Sequence, residues 1–581
     1  MCVLNRTLTN ATKKLPRSAE SVFTYFFSTI QSRYPESHPA YIDAETGLTI
    51  TRGQARDLAL QLGYGIREVF PKRGGERLKR GDTVMIYSPN SITWPVILFG
   101  SVAAGLKVTL ANSAYTAREL EHQWKDSGAK VVYVHPSLVP TVLETFKLIG
   151  FSPAEAKRRI IIANWGFADK SVPQGGYTTV DDLLGKGRLS VEEKFSGEQA
   201  KNETCYLCYS SGTTGKPKGV ETTHSNITSL VNICDTLYPP TDYRKDVMLG
   251  VLPFYHIYGA VKLLHFPYLR GTPVVIMSKF DPTVFCRSIE RYKVTSALIV
   301  PPICLALVHH PATTKFNIKT LRFLFSGAAP LSGSLVDAVR QKLASVGANV
   351  YVTQGYGLTE TSPTTHLLPL EHSLRKVGSI GQLLPNLEAR LVNEDDTDAK
   401  EGKPGELWVR GPTIMKGYLN NRAATENAIT PDGWFKTGDI AVRDKEGFYN
   451  IVDRRKELIK YKGFQVPPAE LEGVLLQHPD IVDAAVIGIE SEKDATELPR
   501  AYIVHAKGVK GKEAQEFTQQ VKKWMEQRVA KHKFLRGGVI VVDAIPKSAA
   551  GKILRRELRE RAKMEILTEP EFQTTPVKAK L

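Results

Sequence analysis

Short runs of apolar and β-branched residues alternate with helical segments along the middle of the chain. From Val131 onward the runs are VVYV, RIIIANW, VMLGVLPF, TPVVIM, SALIVPP, LRFLFSG and NVYVTQGYG, and segments such as Asp281 to Tyr292 separate them. This alternation predicts parallel sheets with crossover helices. Because ligands of such folds bind where strands end, we expect functional loops after these runs.

The pattern changes after Leu384 to a turn-rich β segment. Its runs GKPGELWVRGP and PDGWFKTGDIAVRDKEGFYNI contain Gly and Asp-Gly turns, which predict hairpins. We therefore expect a small β-rich subdomain at about residues 385–452.

The last part of the chain has the pattern of a separate unit. Its strands are IVDAAVIGI, AYIVHA and GVIVVDA, with a helix near Lys512 to Val529 and another after Lys552. The charged stretch 453–456 follows a strand, as a hinge would. The predicted fold is α/β: a large N-terminal domain of parallel-sheet αβ layers at 1–452, a hinge at 453–456, and a smaller, mobile α+β domain at 457–581.

Composition and charge narrow the class of protein. The 581 residues exceed what one hydrophobic core organises, and 42% hydrophobic with 24% charged residues is typical of a globular protein. The formal net charge of +17 favours anionic partners. Aromatic residues are not interleaved with basic ones and zinc-finger spacings are absent from the sequence, so we expect small multi-phosphate ligands and no nucleic acid.

The six cysteines do not resemble a disulfide framework, which indicates a reducing compartment. Cys205 and Cys208 form a CxxC pair in a predicted strand, where residues three apart face opposite sides, so buried free thiols are expected. The longest apolar stretch, Trp94 to Leu106, is too short to span a bilayer, and no transmembrane segment is predicted.

The segment from Tyr209 to Gly219 is rich in groups that bind phosphate. It places four serine and threonine hydroxyls, three glycines and two lysines in eleven residues, so that backbone N–H groups, side-chain donors and positive charge can surround an anion. It is not a Walker A loop, because Gly215-Lys216 is followed by Pro217. A flexible Gly/Ser linker is the alternative, and the strand and helix signals that flank the segment count against it.

This segment resembles the phosphate loop of the adenylate-forming superfamily, which includes acyl-CoA synthetases, 4-coumarate-CoA ligases, firefly luciferase and the adenylation domains of nonribosomal peptide synthetases. Six further family motifs follow in order. They are LPFYHIYG from Leu252, SGAAPLS from Ser326, QGYGLTET from Gln354, WFKTGD from Trp434, DRRKELIKYKGFQV from Asp453 and IPKSAAGKILRR from Ile545. Together they span most of the chain.

The resemblance implies a nucleotide site for ATP and AMP. Its residues would be Ser210, Ser211, Gly212, Thr213, Thr214, Gly215, Lys216, Ala328, Gln354, Gly355, Tyr356, Thr359, Asp439, Arg454 and Lys552. Tyr356 would contact adenine, Thr359 the α-phosphate, and Glu360 would be a hard oxygen ligand for Mg²⁺. Asp439 would accept the ribose hydroxyls, whereas spacing alone equally allows a turn-capping aspartate after Gly438.

Lys552 resembles the family lysine that bridges the substrate carboxylate and the α-phosphate. Two anions must meet in this reaction, so fixed positive charge is required in the transition state. The sequence places Lys552 at the start of a basic helix, where a solvent-exposed lysine is the alternative. The implied catalytic residues are Lys552, His256, Thr359 and Glu360, with His256 gating the acyl pocket unless it is a packed core histidine.

Two further sets of residues follow from the resemblance. The implied acyl pocket consists of His256, Tyr258, Lys262, Ala328, Gly355, Pro363 and Thr364. The implied contacts to coenzyme A or adenylate are Lys460, Lys462, Gly463 and Gln465, for which a basic solvated strand is the alternative. Phenylpropanoid ligases tend to have a small polar residue in place of Lys262, so a simple coumarate specificity is not expected. Whether Lys262 faces the pocket or solvent stays open at this point.

The expected reaction joins a carboxylic acid to ATP as acyl-AMP, with release of pyrophosphate, and then to coenzyme A, with release of AMP. The acid could be fatty, aryl or a specialised metabolite. Only 29 residues follow Lys552, too few for a carrier domain, so free coenzyme A is the expected acceptor. The alternatives are a luciferase-like monooxygenase and a stand-alone adenylation enzyme that loads another acceptor.

The chain ends in Ala579-Lys580-Leu581, which fits the peroxisomal tripeptide class typified by Ser-Lys-Leu. This ending predicts a location in the peroxisomal matrix and the peroxisomal import receptor as a partner.

Overall fold

Two large mixed sheets form the centre of the N-terminal domain. The computed structural model describes residues 8–9, 15, 20–165, 175–195, 197–210, 216–329, 331–462, 464–491, 496–548 and 551–566. The eight-stranded sheet has the spatial order Gly417–Tyr418, Lys218–Thr223, Thr204–Ser210, Lys107–Ala111, Thr83–Tyr87, Ala129–Val134, Ile160–Ile162, Thr178–Thr179. The nine-stranded sheet has the order Gln382–Leu383, His366–Leu367, Tyr351–Tyr356, Phe323–Ser326, Ser296–Ile299, Met248–Gly250, Val274–Ile276, Pro39–Asp43, Thr49–Thr51.

The inner strands of both sheets pair in parallel, and antiparallel pairs occur only toward their edges among the described strands. The helices of eight or more residues in this domain are Arg52–Tyr64, Thr93–Ala103, Ala117–Ser127, Val139–Ile149, His224–Asp235, Pro282–Tyr292, Pro301–His309 and Gly333–Ser345. Thr93–Ala103 is buried over its whole length, because its residues are apolar on all sides. Asp281 caps Pro282–Tyr292 by accepting from Val284 N–H.

A third, antiparallel sheet matches the predicted β-rich subdomain. Its order is Leu8–Thr9, Glu388–Val392, Gly405–Arg410, Phe435–Arg443, Tyr449–Arg454. The last two strands form a hairpin around the Asp444 turn, as the Asp-rich and Gly-rich sequence predicts.

The C-terminal part of the chain has its own hydrophobic core. Its strands are Ile459–Tyr461, Phe464–Val466, Ile481–Ser491, Thr496–His505 and Val539–Val541, and its helices are Pro468–Leu475, Gly511–Glu526 and Arg555–Ile566. One buried cluster extends from Ile459 to Ala562, whereas the main cluster of the large domain extends from Val22 to Tyr449. The predicted α/β class, with a large domain of parallel-sheet layers and a smaller second domain, is confirmed; the boundaries and the hinge stay predictions.

Two further expectations concern thiols and membranes. Cys205 and Cys208 are buried free thiols in the strand Thr204–Ser210, as predicted, and burial raises the pKa of Cys208 to about 12. Within the described ranges, no helix combines the length and apolar character needed to cross a bilayer.

Candidate active site

Three parallel strands of the nine-stranded sheet end at one edge. Ser296–Ile299, Phe323–Ser326 and Tyr351–Tyr356 are aligned so that Ile299 pairs with Ser326 and Ser326 with Gln354. Loops that carry predicted site residues leave this edge. Gln354 to Tyr356, which belong to the run NVYVTQGYG, form the end of the strand Tyr351–Tyr356, so strand pairing fixes their backbone.

Tyr356, Asp439 and Arg454 meet above this edge. The Tyr356 hydroxyl donates to Asp439 Oδ2 at 2.5 Å, and Arg454 Nε lies 3.1 Å from Asp439 Oδ1. Asp439 and Arg454 are opposite residues on paired strands, so the sheet register holds the ion pair. Burial raises the pKa of Asp439, while Arg454 and Tyr356 act in the opposite direction. The turn-cap alternative for Asp439 is therefore wrong: its carboxylate is a buried acceptor for two side chains.

Glu360 connects the phosphate-loop strand to a distant strand. Its Oε1 accepts from Ser210 Oγ and from the Tyr418 hydroxyl, both at 2.9 Å, and its side chain is buried. The short helix Thr359–Thr361 places Thr359 and Glu360 next to each other beyond the strand end. A carboxylate with one oxygen engaged and the other free of hydrogen bonds from the described residues can take a hard cation.

Lys552 of the small domain lies within the electrostatic field of this site. Burial and the Arg454 charge lower its pKa to about 8, and Glu457, Asp439 and Glu360 act in the opposite direction. Gly551 has φ +77° and lies so close to the large domain that a Cβ atom there would be 3.0 Å from Pro302 Cδ. Lys552, a small-domain cation, thus lies close enough to Asp439 and Glu360 of the large domain for their charges to act on it.

The local structure around Lys552 differs from the prediction. The helix begins at Arg555, and Lys552 lies in a turn closed by the bridge between Lys547 and Ile553. Ser548 N–H donates to the Lys552 carbonyl at 2.8 Å, and Lys552 N–H donates to Ser548 Oγ at 3.2 Å. The basic residues after Lys552 predict a helix that starts at Lys552. The bridge between Lys547 and Ile553 holds this segment in a turn instead, so the helix starts only at Arg555.

His256 lies near Lys552 at the start of the short helix Ile257–Gly259. Its Nδ1 accepts from Tyr258 N–H at 3.2 Å. Burial, together with the charge of Lys552, lowers the pKa of His256 to about 4, so the ring is neutral at pH 7. Because the Lys552 charge acts on the pKa of His256, the ring lies near the active-site lysine and not in a remote part of the core.

The other predicted acyl-pocket residues lie around the same strand ends. The Tyr258 hydroxyl donates to the Phe325 carbonyl at 3.3 Å, and Pro363 and Thr364 are buried. Ala328 adopts φ +66°, a left-handed conformation that is rare for a residue with a Cβ atom and is associated with functional sites. Lys262 is buried, so the solvent-facing alternative is wrong.

The predicted phosphate loop lies mostly outside the described residues. This applies to Ser211, Gly212, Thr213, Thr214 and Gly215, whereas Ser210 and the exposed Lys216 are described. The segment connects two antiparallel strands, Thr204–Ser210 and Lys218–Thr223, in which Ser210 pairs with Lys218. The predicted following helix begins only at His224, because the sequence after the loop first forms a second strand.

The residues predicted to contact coenzyme A lie on a hairpin of the small domain. Lys460 N–H donates to Glu497 Oε2 and Lys462 N–H to Thr496 Oγ1, both at 2.7 Å, and both side chains are exposed. Gly463 and the side chain of Gln465 lie outside the described residues. The structure does not bring Lys460 to the cluster around Lys552, so its predicted contact is untested.

Sequence reasoning missed two residues of the site. Tyr418 reaches Glu360 because the strand Gly417–Tyr418 pairs with Lys218–Thr223. Glu457 acts on Lys552 and also pairs with Arg555 at 2.9 Å. An aromatic residue in a loop and an acidic residue in a charged run carry no local signal of such contacts.

A metal site built by the protein alone is not evident. Among the described residues, no three or more His, Cys, Asp or Glu side chains are grouped as ligands. Mg²⁺ commonly keeps water and takes one or two carboxylates plus substrate phosphates, and Glu360 fits that requirement.

Comparisons with known proteins agree with this geometry. The sequence profile described as AMP-binding enzyme matches residues 27–419, and that of the AMP-binding enzyme C-terminal domain matches residues 470–552. Probable 4-coumarate--CoA ligase 1 of Dictyostelium discoideum is 36% identical over 83% of this chain and 86% of its own length. A phenylacetyl-CoA ligase of Aspergillus niger is 35% identical over 93% of this chain and 97% of its own.

Solved structures share the fold. An anthranilate CoA ligase in complex with anthranoyl-AMP superimposes with a TM-score of 0.81 at 22% identity, covering 95% of this chain and 99% of that one. The o-succinylbenzoate CoA synthetase of Bacillus subtilis, in complex with its acyl-adenylate intermediate, has a TM-score of 0.73 at 26% identity, covering 94% and 99%. With both profiles matched in order, the chain belongs to the AMP-binding enzyme family, the adenylate-forming superfamily that includes the acyl-CoA ligases.

Proposed function

We propose that this protein is an AMP-forming acyl-CoA ligase. It converts a carboxylic acid and ATP to acyl-AMP and pyrophosphate, and then transfers the acyl group to coenzyme A with release of AMP. The observation that carries the proposal is the position of Lys552. A partly buried small-domain lysine lies in the field of Asp439, Arg454 and Glu360 of the large domain.

In the first step a carboxylate oxygen bonds to the α-phosphorus of ATP, and the bond from that phosphorus to the pyrophosphate oxygen breaks. Both reactants are anionic, so preorganised positive charge lowers the barrier. Lys552 supplies that charge from one side. Asp439, held by Arg454, would offer acceptors for ribose hydroxyls, and Thr359, next to Glu360 in the short helix Thr359–Thr361, would contribute a hydroxyl for the α-phosphate.

Magnesium would add positive charge on the phosphate side. Glu360 would be its carboxylate ligand through the oxygen that is not engaged by Ser210 and Tyr418. When bound, the ion neutralises charge on the phosphate oxygens and on the departing pyrophosphate. Ser210 and Tyr418 orient the carboxylate for this role.

In the second step the thiol sulfur of coenzyme A bonds to the acyl carbon, and the bond from that carbon to the AMP oxygen breaks. Because His256 is neutral, it can contact the acyl group without repelling the neighbouring Lys552 cation and without attracting an anion other than the substrate. The Lys460 to Gln465 hairpin would then replace the Lys552 turn at the site by rotation of the small domain about residues 453–456.

The substrate we propose is a fatty, aryl or specialised-metabolite acid. Relatives named as 4-coumarate and phenylacetyl ligases support an aromatic acid, and the aromatic side chains of Tyr258 and Phe325 at the strand ends fit one. We also propose delivery to the peroxisomal matrix through Ala579-Lys580-Leu581, which lie outside the described residues. Removal of these three residues should abolish colocalisation of a tagged full-length chain with a peroxisomal marker; unchanged location would refute it.

A panel of fatty, cinnamic, arylacetic and dicarboxylic acids tests the reaction. We expect at least one acid to give ATP-dependent pyrophosphate release, with thioester and AMP formed in equal amounts when coenzyme A is present. Light emission without thioester would favour the luciferase-like alternative. Absence of pyrophosphate release with every acid, from protein that binds ATP, would refute the proposed function.

A further inference from the structure

Lys262 is a buried lysine in the π-helical segment Ala260–His265. Only 7% of the residue is exposed. Its Nζ lies 3.0 Å from the sulfur of Cys234 and 4.8 Å from the centre of the Phe266 ring. The ammonium is therefore enclosed by a thiol and aromatic carbon.

This ammonium has no anionic partner in the part of the chain that the structure describes. A thiol sulfur is a weak acceptor, and an ammonium has three protons to donate. Two other buried cations of the described residues have stronger partners: Arg500 lies 3.3 Å from Glu565, and Arg52, which has no carboxylate partner, donates to the Tyr268 carbonyl at 2.7 Å and lies 3.9 Å from the centre of the Tyr268 ring. Burial of a charge without a partner is costly, so a ligand group that completes the pair is a physical explanation for keeping lysine here.

The position of Lys262 connects it to the strand ends of the active site. Tyr258 precedes Lys262 by four residues on the same helical segment, so both lie on one face. The Tyr258 hydroxyl bonds to the Phe325 carbonyl, and its ring is the nearest neighbour of Gly327, where a Cβ atom would be 3.0 Å away. Lys262 thus lies about one helical turn beyond Tyr258 along this segment.

A second polar group lies beside the same aromatic wall. The Tyr238 ring stacks on Phe325 at 4.6 Å and meets the edge of Phe266 at 4.8 Å between ring centres. The Tyr238 hydroxyl is buried and has no hydrogen-bond partner in the described structure. The Lys262 ammonium has only a weak acceptor and the Tyr238 hydroxyl has none among the described residues, and both side chains lie next to the Phe266 ring.

We propose that the acid substrate carries a second carboxylate, far from the reacting one, and that Lys262 is its counter-charge. The Tyr238 hydroxyl donates a second hydrogen bond to the same group. The two carboxylates of the substrate would then lie between two lysines, Lys552 at the reacting end and Lys262 at the distal end. This inference rests on the proposed ligase function and narrows its substrate to dicarboxylic acids.

Matched acids test the inference in ATP–pyrophosphate exchange by the full-length protein. The pairs are octanedioate against octanoate, and 4-carboxycinnamate against 4-methylcinnamate; 4-hydroxycinnamate is included as an uncharged polar analogue. The readout is the ratio of kcat/KM for the dicarboxylate to that for its partner. In the wild-type protein we expect a ratio of about 10 to 100, the range for one charge-assisted bond.

Substitutions test which residues cause the preference for the dicarboxylate. Lys262→Met, of similar length and without charge, should lower the ratio at least about 10-fold. Tyr238→Phe should lower it severalfold. Lys245→Met removes an exposed lysine of the same domain and should change nothing. Lys262→Gln replaces the methionine variant if thermal unfolding shows that variant to be misfolded.

The outcomes separate this inference from the proposed function. Efficient exchange with monocarboxylates, a wild-type ratio at or below one and no effect of Lys262→Met would overturn the inference and leave the ligase function standing. A preference for 4-hydroxycinnamate over 4-carboxycinnamate would also overturn the assignment of an anion. No exchange with any acid would reject both.

Discussion

Replacing Lys552 with alanine removes the one small-domain cation that acts on the Asp439 and Glu360 cluster in the described structure. With its pKa lowered to about 8, Lys552 is about nine-tenths protonated at pH 7, so nearly a full charge is lost. Arg454 cannot substitute for it, because its guanidinium is paired with Asp439 at 3.1 Å.

The size of the effect follows from that geometry. Loss of one preorganised charge at a developing anion costs about 2.7–4 kcal/mol, so the adenylation rate should fall by roughly 10²-fold to 10³-fold. Stability should not fall with it. The Lys552 ammonium takes part in no ion pair among the described residues, and removing it relieves both desolvation and repulsion from Arg454.

The assay separates the two half-reactions. ATP–pyrophosphate exchange reports adenylation, and thioester formation from supplied acyl-AMP reports transfer, which should decrease much less. Lys563→Ala is the matched control, because Lys563 is an exposed lysine of the following helix with 71% of its side chain accessible. Exchange by Lys552→Ala at the wild-type rate would refute the electrostatic role, and equal losses in both half-reactions would refute its assignment to adenylation.

Four further outcomes are expected. Deprotonation of Lys552 should make kcat/KM for adenylation fall above about pH 8, and Lys552→Arg should move that fall to higher pH; an unmoved limb would assign it to another group. Glu360→Gln keeps an acceptor but loses charge, so half-maximal activity should need at least roughly 10-fold more Mg²⁺, measured by titration. Asp439→Asn should raise KM for ATP by about 10- to 100-fold with a smaller effect on kcat, and equal effects on both would contradict ribose binding. Arg555→Met leaves two buried carboxylates unpaired and should cost about 3–5 kcal/mol in denaturant unfolding, whereas Arg561→Met at an exposed pair should cost at most about 1 kcal/mol.

Local elements of the fold were predictable because their signals are local. The predicted helix Asp281 to Tyr292 is Pro282–Tyr292 with Asp281 as its cap, and the run SALIVPP contains the strand Ser296–Ile299. Side-chain periodicity, turn residues and caps depend on neighbours a few residues away. The same local reasoning placed the last helix too early at Lys552, because it could not foresee the bridge from Lys547 to Ile553.

The sequence by itself determined the α/β class and the family motifs, and with them the residue types that adenylation chemistry needs. Only the tertiary structure decided which of these residues meet. Tyr356 and Asp439 are 83 residues apart in the chain, and their bond depends on how one sheet lies on another. Whether Lys262 faced solvent or the interior was equally undecided by its neighbours in sequence. Burial and charge are properties of an environment assembled from distant segments, so only the folded chain could show a lowered Lys552 pKa and an unpaired ammonium at Lys262.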